Sequence, residues 1–273
     1  MTRSKTKEEK KQLKVLFLSY NSILDNHKIT QLSYDILSKE CDFDQNDLHN
    51  FLEAAISSYN DIPYHNATHG FNALYNGNIL LELIDRPKIG RKVRFIFLIC
   101  CLLHDIGHPG SDLPGHNKFD LENLHVEFIK KLLSEFLPGY LTDENINLIS
   151  ELILSTNLIS HNDVLNSFRN KYLGRNINSA SELNIIDYKM LIKIADIGAS
   201  YKKFDDFMCG SRKLEKELRG SSIESANKKV EEDEFFLLNY SIPLAEVFCE
   251  VFIDFKFLYE NAIDNLRKLK NLK

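Results

Sequence analysis

Four residues of types that bind divalent metals stand far apart in this sequence. His69, the adjacent pair His104 and Asp105, and Asp196 each lie in an apolar run with the spacing of a buried helix. Burial of an aspartate without a partner is costly, and a divalent cation between the four side chains would offset that cost. The sequence therefore predicts a metal site. For Asp196 alone, a structural salt bridge is the alternative.

The four side chains would supply two neutral imidazoles and two carboxylates. A mixed nitrogen and oxygen set of this kind, with positions left for water, is typical of catalytic rather than structural metal sites. Asp105 has two oxygens, so it could also bind a second ion completed mainly by water, as Mg²⁺ or Mn²⁺ prefers. Two such ions generate a nucleophile near neutral pH and stabilise charge on a phosphoryl group. The residues therefore indicate phosphoester hydrolysis.

Two further histidines stand four residues from the predicted ligands. His65 precedes His69 in "PYHNATHG", and His108 follows His104 in "CLLHDIGHPG". Residues four apart on a helix lie on one face, about one turn from each other. We predict His65 as the general acid that protonates the leaving oxygen, and His108 as a support that orients a ligand or water. For His65 and His69 the alternative is a pair of surface histidines beside a proline turn.

The elements that must position these residues are helices. Apolar residues recur at intervals of three and four through most of the chain, and few alternating β-branched stretches compete with them. This pattern predicts an all-α, compact multi-helix fold without internal repeats. We expect a charged lead over residues 1–12, a single helical domain over residues 13–273, a helix stop at Pro109 and Gly110, and a surface loop over the polar stretch 212–233.

The composition excludes several classes of partner and location. The net charge of -5 gives no general attraction to nucleic acid polymers or anionic membranes. The apolar run from Phe95 to Leu103 is too short to span a bilayer, and the polar amino-terminal residues lack the core of a signal peptide. Five cysteines without CxxC spacing favour a reducing compartment over a disulfide framework. We therefore expect a cytoplasmic protein, and the sequence does not predict its oligomeric state.

Six short motifs in this chain resemble those of a known family, the metal-dependent HD phosphohydrolases. Within that family, the motifs resemble the catalytic domain of class I cyclic-nucleotide phosphodiesterases, and they follow its order over roughly residues 45–260. The first two together are very specific. In this sequence the motifs read "YHNATHG", "LLHDIGHPG", "LENLH", "STNLISH", "KIADIGAS" and "VFIDFKFLYE".

The resemblance implies cleavage of the 3′ ester of a 3′,5′-cyclic nucleotide, cAMP or cGMP, to the 5′-monophosphate. It implies Zn²⁺ held by the four predicted ligands and Mg²⁺ (or Mn²⁺) reached through Asp105 and waters, with His65 as proton donor. His108 and Glu122 would support the metal site. The substrate would contact Tyr64, Phe252 and Cys249, with Phe252 as the aromatic wall that stacks on the purine.

The purine side of the resemblance is incomplete. Three positions before Phe252, where the family carries a glutamine, this chain has Cys249. The family's purine-side asparagine is replaced by Ala199, and an aspartate of another motif by Asn157. Loss of a bidentate amide removes base-specific binding. Two other hypotheses therefore stay open: an HD phosphohydrolase acting on another nucleotide or phosphoester, and a catalytically silent nucleotide-binding relative.

Overall fold

All regular secondary structure in the described part of the chain is helical. A computed structural model describes residues 5–19, 24–84, 89–110, 121–173, 183–219 and 226–272, and no strand occurs within these ranges. The all-α prediction is confirmed. The α-helices are α1 (Lys7–Ser19), α2 (Asn26–Leu37), α3 (Gln45–Ser57), α4 (Ala67–Leu83), α5 (Arg91–Leu103), α6 (Leu121–Phe136), α7 (Asp143–Thr156), α8 (His161–Tyr172), α9 (Ile185–Asp196), α10 (Phe204–Arg219), α11 (Ala226–Phe236), α12 (Ile242–Val251) and α13 (Lys256–Lys270).

Helix α1 crosses the proposed boundary between the charged lead and the domain. It begins at Lys7 and continues to Ser19, and its Phe17 side chain is fully buried in the main hydrophobic core. The division at residues 12 and 13 stays a prediction. Among the described helices, none combines the length and the apolar character that crossing a membrane requires.

Helix α5 is the centre of the core. Its residues from Phe95 to Leu103 are all buried, and it packs against α4, α7 and α9. A helix that is apolar on every side is stable only when neighbours cover every side. The two helices in the most extensive contact with α4 are α5 and α9. These three helices therefore form a fixed frame, and each of them ends or begins at a predicted ligand.

Asn66 fixes the start of α4. Its side-chain oxygen accepts hydrogen bonds from the backbone N–H groups of Thr68 and His69, at 3.0 and 3.3 Å. This is the geometry of a helix N-cap, which satisfies donors that have no partner in the first turn. The helix therefore begins after His65. His65 and His69 do not share a helical face, although their spacing of four residues is compatible with one.

Helix α5 ends earlier than the sequence indicates. The predicted stop at Pro109 and Gly110 is wrong, because the helix ends at Leu103 and is followed by a turn. Gly107 lies in this turn with a φ of 72°, a conformation that side chains with a Cβ rarely adopt. The turn contains Asp105, whose carbonyl accepts a hydrogen bond from the His108 N–H at 3.0 Å.

The prediction of a surface loop over residues 212–233 is also wrong. Helix α10 continues to Arg219, and α11 begins at Ala226. Val230 of this stretch is buried in one small cluster with Phe207 and Met208, near the start of α10, and with residues of helix α13. Burial of that cluster stabilises both helices. The part of the predicted loop at residues 220–225 lies outside the described residues.

The close approach of α4 and α5 beside the predicted ligands depends on Gly70. A Cβ at this position would lie 2.4 Å from the Leu102 carbonyl oxygen and 2.5 Å from the Tyr59 hydroxyl, which itself donates to that carbonyl. We expect Gly70→Ala to lower the free energy of unfolding by about 2 kcal/mol, because backbone must move to relieve the contact. Urea unfolding of the variant measures this.

Gly139→Ala is the matched control, because a Cβ at Gly139 meets no atom within 4 Å. We expect this control to change the free energy of unfolding by less than about 0.5 kcal/mol. Equal stability of the two variants would contradict the packing described for Gly70.

Candidate metal centre and active site

The ends of α4, α5 and α9 bring the four predicted ligands together. The His69 Nε2 atom lies 3.1 Å from the His104 Nε2, 3.2 Å from the Asp105 Oδ2 and 3.3 Å from the Asp196 Oδ1. The His104 Nε2 lies 3.0 Å from the Asp105 Oδ2 and 3.1 Å from the Asp196 Oδ1. The four predicted ligand atoms, from three separate parts of the sequence, thus face one another in one small volume. Their role as ligands stays a prediction.

These separations fit a divalent ion. Nitrogen and oxygen ligands about 2.0–2.2 Å from a tetrahedral centre must lie about 3.3–3.6 Å from one another, close to the separations observed. The Nδ1 of His104 is 3.0 Å from the Cys101 carbonyl oxygen, which can only accept, so its Nε2 lone pair faces the cluster. The donor set and its spacing therefore suit a metal of the Zn²⁺ type.

The charges of the cluster also favour a cation. Burial alone would raise the pKa of the Asp196 carboxyl, but the adjacent His104 and His69 lower it overall. Burial likewise opposes protonation of His104, yet the two aspartates raise its pKa well above the usual value. Two carboxylates at the end of an apolar core thus hold positive charge between them, which a divalent ion supplies more compactly than protons do.

A second cluster joins His65 to a residue that the sequence interpretation did not identify. The Nδ1 of His65 lies 2.5 Å from the Glu217 Oε1, and the other carboxylate oxygen accepts hydrogen bonds from the backbone N–H groups of Tyr64 and His65, at 2.7 and 2.9 Å. Only 1% of the Glu217 side chain is exposed. Burial would raise the pKa of Glu217, but its bonds with His65 and these N–H groups lower it.

The His65 ring stacks on a neutral neighbour. The His65 and His108 ring centroids are 4.1 Å apart, and the Nδ1 of His108 accepts a hydrogen bond from the Gly110 N–H at 3.1 Å. Burial, together with the charge of His65, lowers the pKa of His108 to about 4. A neutral His108 and an ionised Glu217 together fix the plane and the tautomer of His65: Nδ1 binds the carboxylate, and Nε2 is left for another partner.

Glu122 begins α6 on the Asp105 side of the cluster. Burial raises its pKa, a hydrogen bond with Asn157 opposes this, and the Asp105 charge adds to the increase. On the same side, the His125 Nε2 lies 3.9 Å from the Asp105 Oδ1, while its Nδ1 is 2.7 Å from the Ile106 carbonyl oxygen. The predicted supporting role of Glu122 stays a prediction.

One cavity adjoins the cluster, and a second, larger cavity adjoins the first. The smaller, of about 60 Å³, is bordered by His69, Asp196 and several polar side chains. The larger, of about 310 Å³, lies beside it along helices α10 and α11, and we call it the α10–α11 cavity. Tyr64, Ala199 and Gly210 border both. The α10–α11 cavity is also lined by Ile197, Ser200, Phe207, Ser211, Leu214, Glu215, Leu218, Arg219, Lys229, Glu232, Asp233 and Phe236.

The structure places the three predicted substrate contacts in two different regions. The Tyr64 ring lies 4.7 Å from the His69 ring, beside the cluster. Phe252 and Cys249, each 8% exposed, are not among the residues that line the two cavities. The Cys249 Sγ lies 3.1 Å from the Phe255 carbonyl oxygen. Phe252 lies in an aromatic cluster with Phe168, Tyr172, Phe248 and Phe255. Their contact with substrate stays a prediction.

Comparison with curated proteins identifies relatives in two species of Plasmodium. The chain is 32% identical over 171 residues to the "cGMP-specific 3′,5′-cyclic phosphodiesterase gamma" of Plasmodium yoelii, covering 55% of this chain and 22% of the relative. It is 27% identical over 220 residues to the alpha enzyme of Plasmodium falciparum, also called cGMP-specific, covering 72% and 23%. The chain therefore matches less than a quarter of the length of either relative.

Solved structures share the fold. The phosphodiesterase domain of a rhodopsin fusion protein from the choanoflagellate Salpingoeca rosetta superimposes with a TM-score of 0.82 at 18% identity, covering 95% of this chain and 97% of that one. A second structure of that domain gives 0.80 at 20% identity, with coverage of 91% and 88%. A family model described as 3′5′-cyclic nucleotide phosphodiesterase matches residues 64–251. The chain belongs to the 3′5′-cyclic nucleotide phosphodiesterase family.

Proposed function

We propose that this protein hydrolyses the 3′ phosphoester bond of a 3′,5′-cyclic purine nucleotide and releases the 5′-monophosphate. One observation carries the proposal: the four-residue metal cluster lies beside a histidine that is held in one orientation. The His65 and His69 ring centroids are 5.6 Å apart, and the carboxylate behind His65 is almost fully buried. A cation site and an oriented proton donor are the two parts that hydrolysis of a phosphodiester needs.

His69, His104, Asp105 and Asp196 would hold a Zn²⁺ ion, and the free oxygen of Asp105 would contribute to a second site for Mg²⁺ or Mn²⁺. Two imidazole nitrogens and two carboxylate oxygens suit these metals better than softer ones. When bound, such ions polarise the phosphoryl group and lower the pKa of water. The cluster itself contributes a buried negative charge that retains them.

His65 would supply the proton that the leaving 3′ oxygen requires. Glu217 accepts from the Nδ1–H of its ring, so in the doubly protonated imidazolium the Nε2–H is the bond that can donate. Glu217 also accepts hydrogen bonds from the backbone N–H groups of Tyr64 and His65, which fixes the backbone as well as the ring. Because the ring does not have to reorient before transfer, less entropy is lost when the transition state forms.

The names of relatives support a purine cyclic nucleotide as substrate. Two Plasmodium relatives are described as cGMP-specific, and a third, from Plasmodium falciparum and 26% identical over 205 residues, as a dual cyclic-AMP and cyclic-GMP phosphodiesterase. The second candidate is a phosphohydrolase for another nucleotide or phosphoester. Two residues favour this candidate. Cys249 and Ala199 stand where the family carries amide side chains that bind the purine.

The test is hydrolysis of cAMP and cGMP by the purified protein supplied with Zn²⁺ and Mg²⁺, or with Mn²⁺, and the product is identified by chromatography. We expect the 5′-monophosphate from at least one substrate. A panel of nucleoside mono-, di- and triphosphates decides between the candidates, since turnover of non-cyclic compounds alone would favour the second. Full metal occupancy without any turnover would instead favour the silent, nucleotide-binding relative.

A further inference from the structure

The α10–α11 cavity shares part of its wall with the smaller cavity that His69 and Asp196 border. Ala199 and Gly210 border both cavities, and a Cβ added at Gly210 would lie only 3.3 Å from the Ala199 Cβ. Larger side chains at these positions would narrow the space where the two cavities meet. A ligand with its phosphate at the cluster can therefore extend its remaining part into the larger cavity.

The larger cavity has the size and walls of a binding site for a flat ring. Its volume of about 310 Å³ lies within the range of small-molecule pockets. Phe207, Leu214 and Phe236 provide apolar surface, and Tyr64 stands at the junction with the cluster. A purine ring has two apolar faces and a polar edge. When such a ring occupies the cavity, its edge must lie against the polar groups of the cavity walls.

The most buried of the charged side chains that line this cavity is a carboxylate, Asp233. Asp233 is 7% exposed, and its Oδ2 accepts a hydrogen bond from the Ser211 hydroxyl at 2.6 Å. Its other oxygen pairs with Lys229, one turn earlier on α11. All three side chains line the cavity. A carboxylate has about four lone-pair positions, so these two partners leave acceptor capacity for a ligand.

We propose that Asp233 selects guanine over adenine at this site, and this inference rests on the proposed function. The Watson–Crick edge of guanine carries two adjacent donors, N1–H and the 2-amino group, beside the acceptor O6. A carboxylate accepts from both donors, and the Lys229 ammonium matches O6. Adenine presents an acceptor, N1, where guanine presents N1–H, so it leaves the carboxylate without a donor there.

The test compares kcat/KM for cGMP, cIMP and cAMP in the wild type and in Asp233→Asn. cIMP keeps N1–H but lacks the 2-amino group, so we expect the wild type to prefer cGMP over cIMP and cIMP over cAMP. Asparagine has one acceptor and one donor, which match the edge of adenine. We expect the cGMP to cAMP ratio to fall about tenfold or more in the variant.

Glu231→Gln is the matched control, because Glu231 is exposed on the same helix and does not line the cavity. It should leave the ratio unchanged. Calorimetric measurement of GMP and AMP binding gives a second readout. The comparison of cGMP, cIMP and cAMP in the wild type gives a result even if Asp233→Asn fails to fold. A wild type that prefers cAMP, or an unchanged ratio in Asp233→Asn, overturns this inference alone. Absence of turnover with any cyclic nucleotide overturns the proposed function together with it.

Discussion

Replacing Asp196 with asparagine is expected to lower kcat/KM by about a thousandfold or more. The Asp196 Oδ1 lies within 3.3 Å of both imidazole nitrogens of the cluster, so the change removes a charged ligand from the centre of the site. Metal ions supply several kcal/mol of charge stabilisation in such reactions, and each 1.36 kcal/mol corresponds to about tenfold in rate. Steady-state hydrolysis of cGMP and cAMP measures the loss.

Metal content and thermal unfolding separate loss of the ion from loss of the fold. We expect a chelator to lower the unfolding temperature of the wild type, because an ion that binds only the folded state stabilises it. The same chelator should have little effect on Asp196→Asn. Asp163→Asn, an exposed aspartate in the first turn of α8, is the control and should behave as the wild type does. Full activity and full metal content in Asp196→Asn would contradict the assignment.

Glu217→Gln is expected to lower kcat by about a hundredfold with little change in KM, since Glu217 orients the proposed proton donor and does not bind substrate. The amide keeps the size of the side chain but loses the charge that faces the His65 Nδ1. The single amide oxygen can accept from only some of the donors that the two carboxylate oxygens bind in the wild type, which include the backbone N–H groups of Tyr64 and His65. A His65 ring released from this contact spends less time aimed at the leaving oxygen.

A substrate that needs no proton donor tests this role directly. Bis(4-nitrophenyl) phosphate releases 4-nitrophenolate, a stable anion, so the defects of Glu217→Gln and His65→Gln should be much smaller with it than with a cyclic nucleotide. Asp205→Asn, an exposed acidic residue in the first turn of the same helix, is the control. Equal defects with both substrates would mean that Glu217 supports the fold or the metal site instead of proton transfer.

The sequence predicted that His69, His104, Asp105 and Asp196 lie together because polar residues are conspicuous within apolar runs. His104 and Asp105 interrupt a long apolar run, and Asp196 ends another. Polar groups at such positions need a partner inside the protein, so only a few ways of placing these side chains relative to one another are possible. The position of His65 was less predictable, because the N-cap at Asn66 places it outside the helix that contains His69.

Glu217 was missed for a physical reason that is local to α10. Its segment reads as a solvated charged stretch, in which one glutamate cannot be distinguished from its neighbours by type or spacing. The buried apolar residues of this helix, Phe207 and Met208, lie near its start and pack with residues of distant α13. Which glutamate points inward depends on the crossing of helices far apart in sequence, which periodicity alone does not specify.

The carboxyl-terminal motif, whose contact with substrate stays a prediction, lies at the end of a helix. The spacing of Cys249 and Phe252 matches a substrate-facing arrangement, but α12 ends at Val251, between them, and Phe252 leaves the helix with a φ of -114°. Its side chain then packs among four aromatic rings. Sequence spacing predicts neighbours along a helix and does not predict the direction of a side chain just beyond its end.

The order of the predicted ligands along the chain means that an ion bound by them would cross-link distant parts of the tertiary structure. His69 and His104 are 35 positions apart, and Asp196 is a further 92 positions along the chain. Such a set forms only once α4, α5 and α9 have assembled. The free energy of ion binding would therefore also stabilise the assembled helices. By thermodynamic reciprocity, a substitution anywhere in this three-helix frame that loosens its packing also weakens retention of the ion.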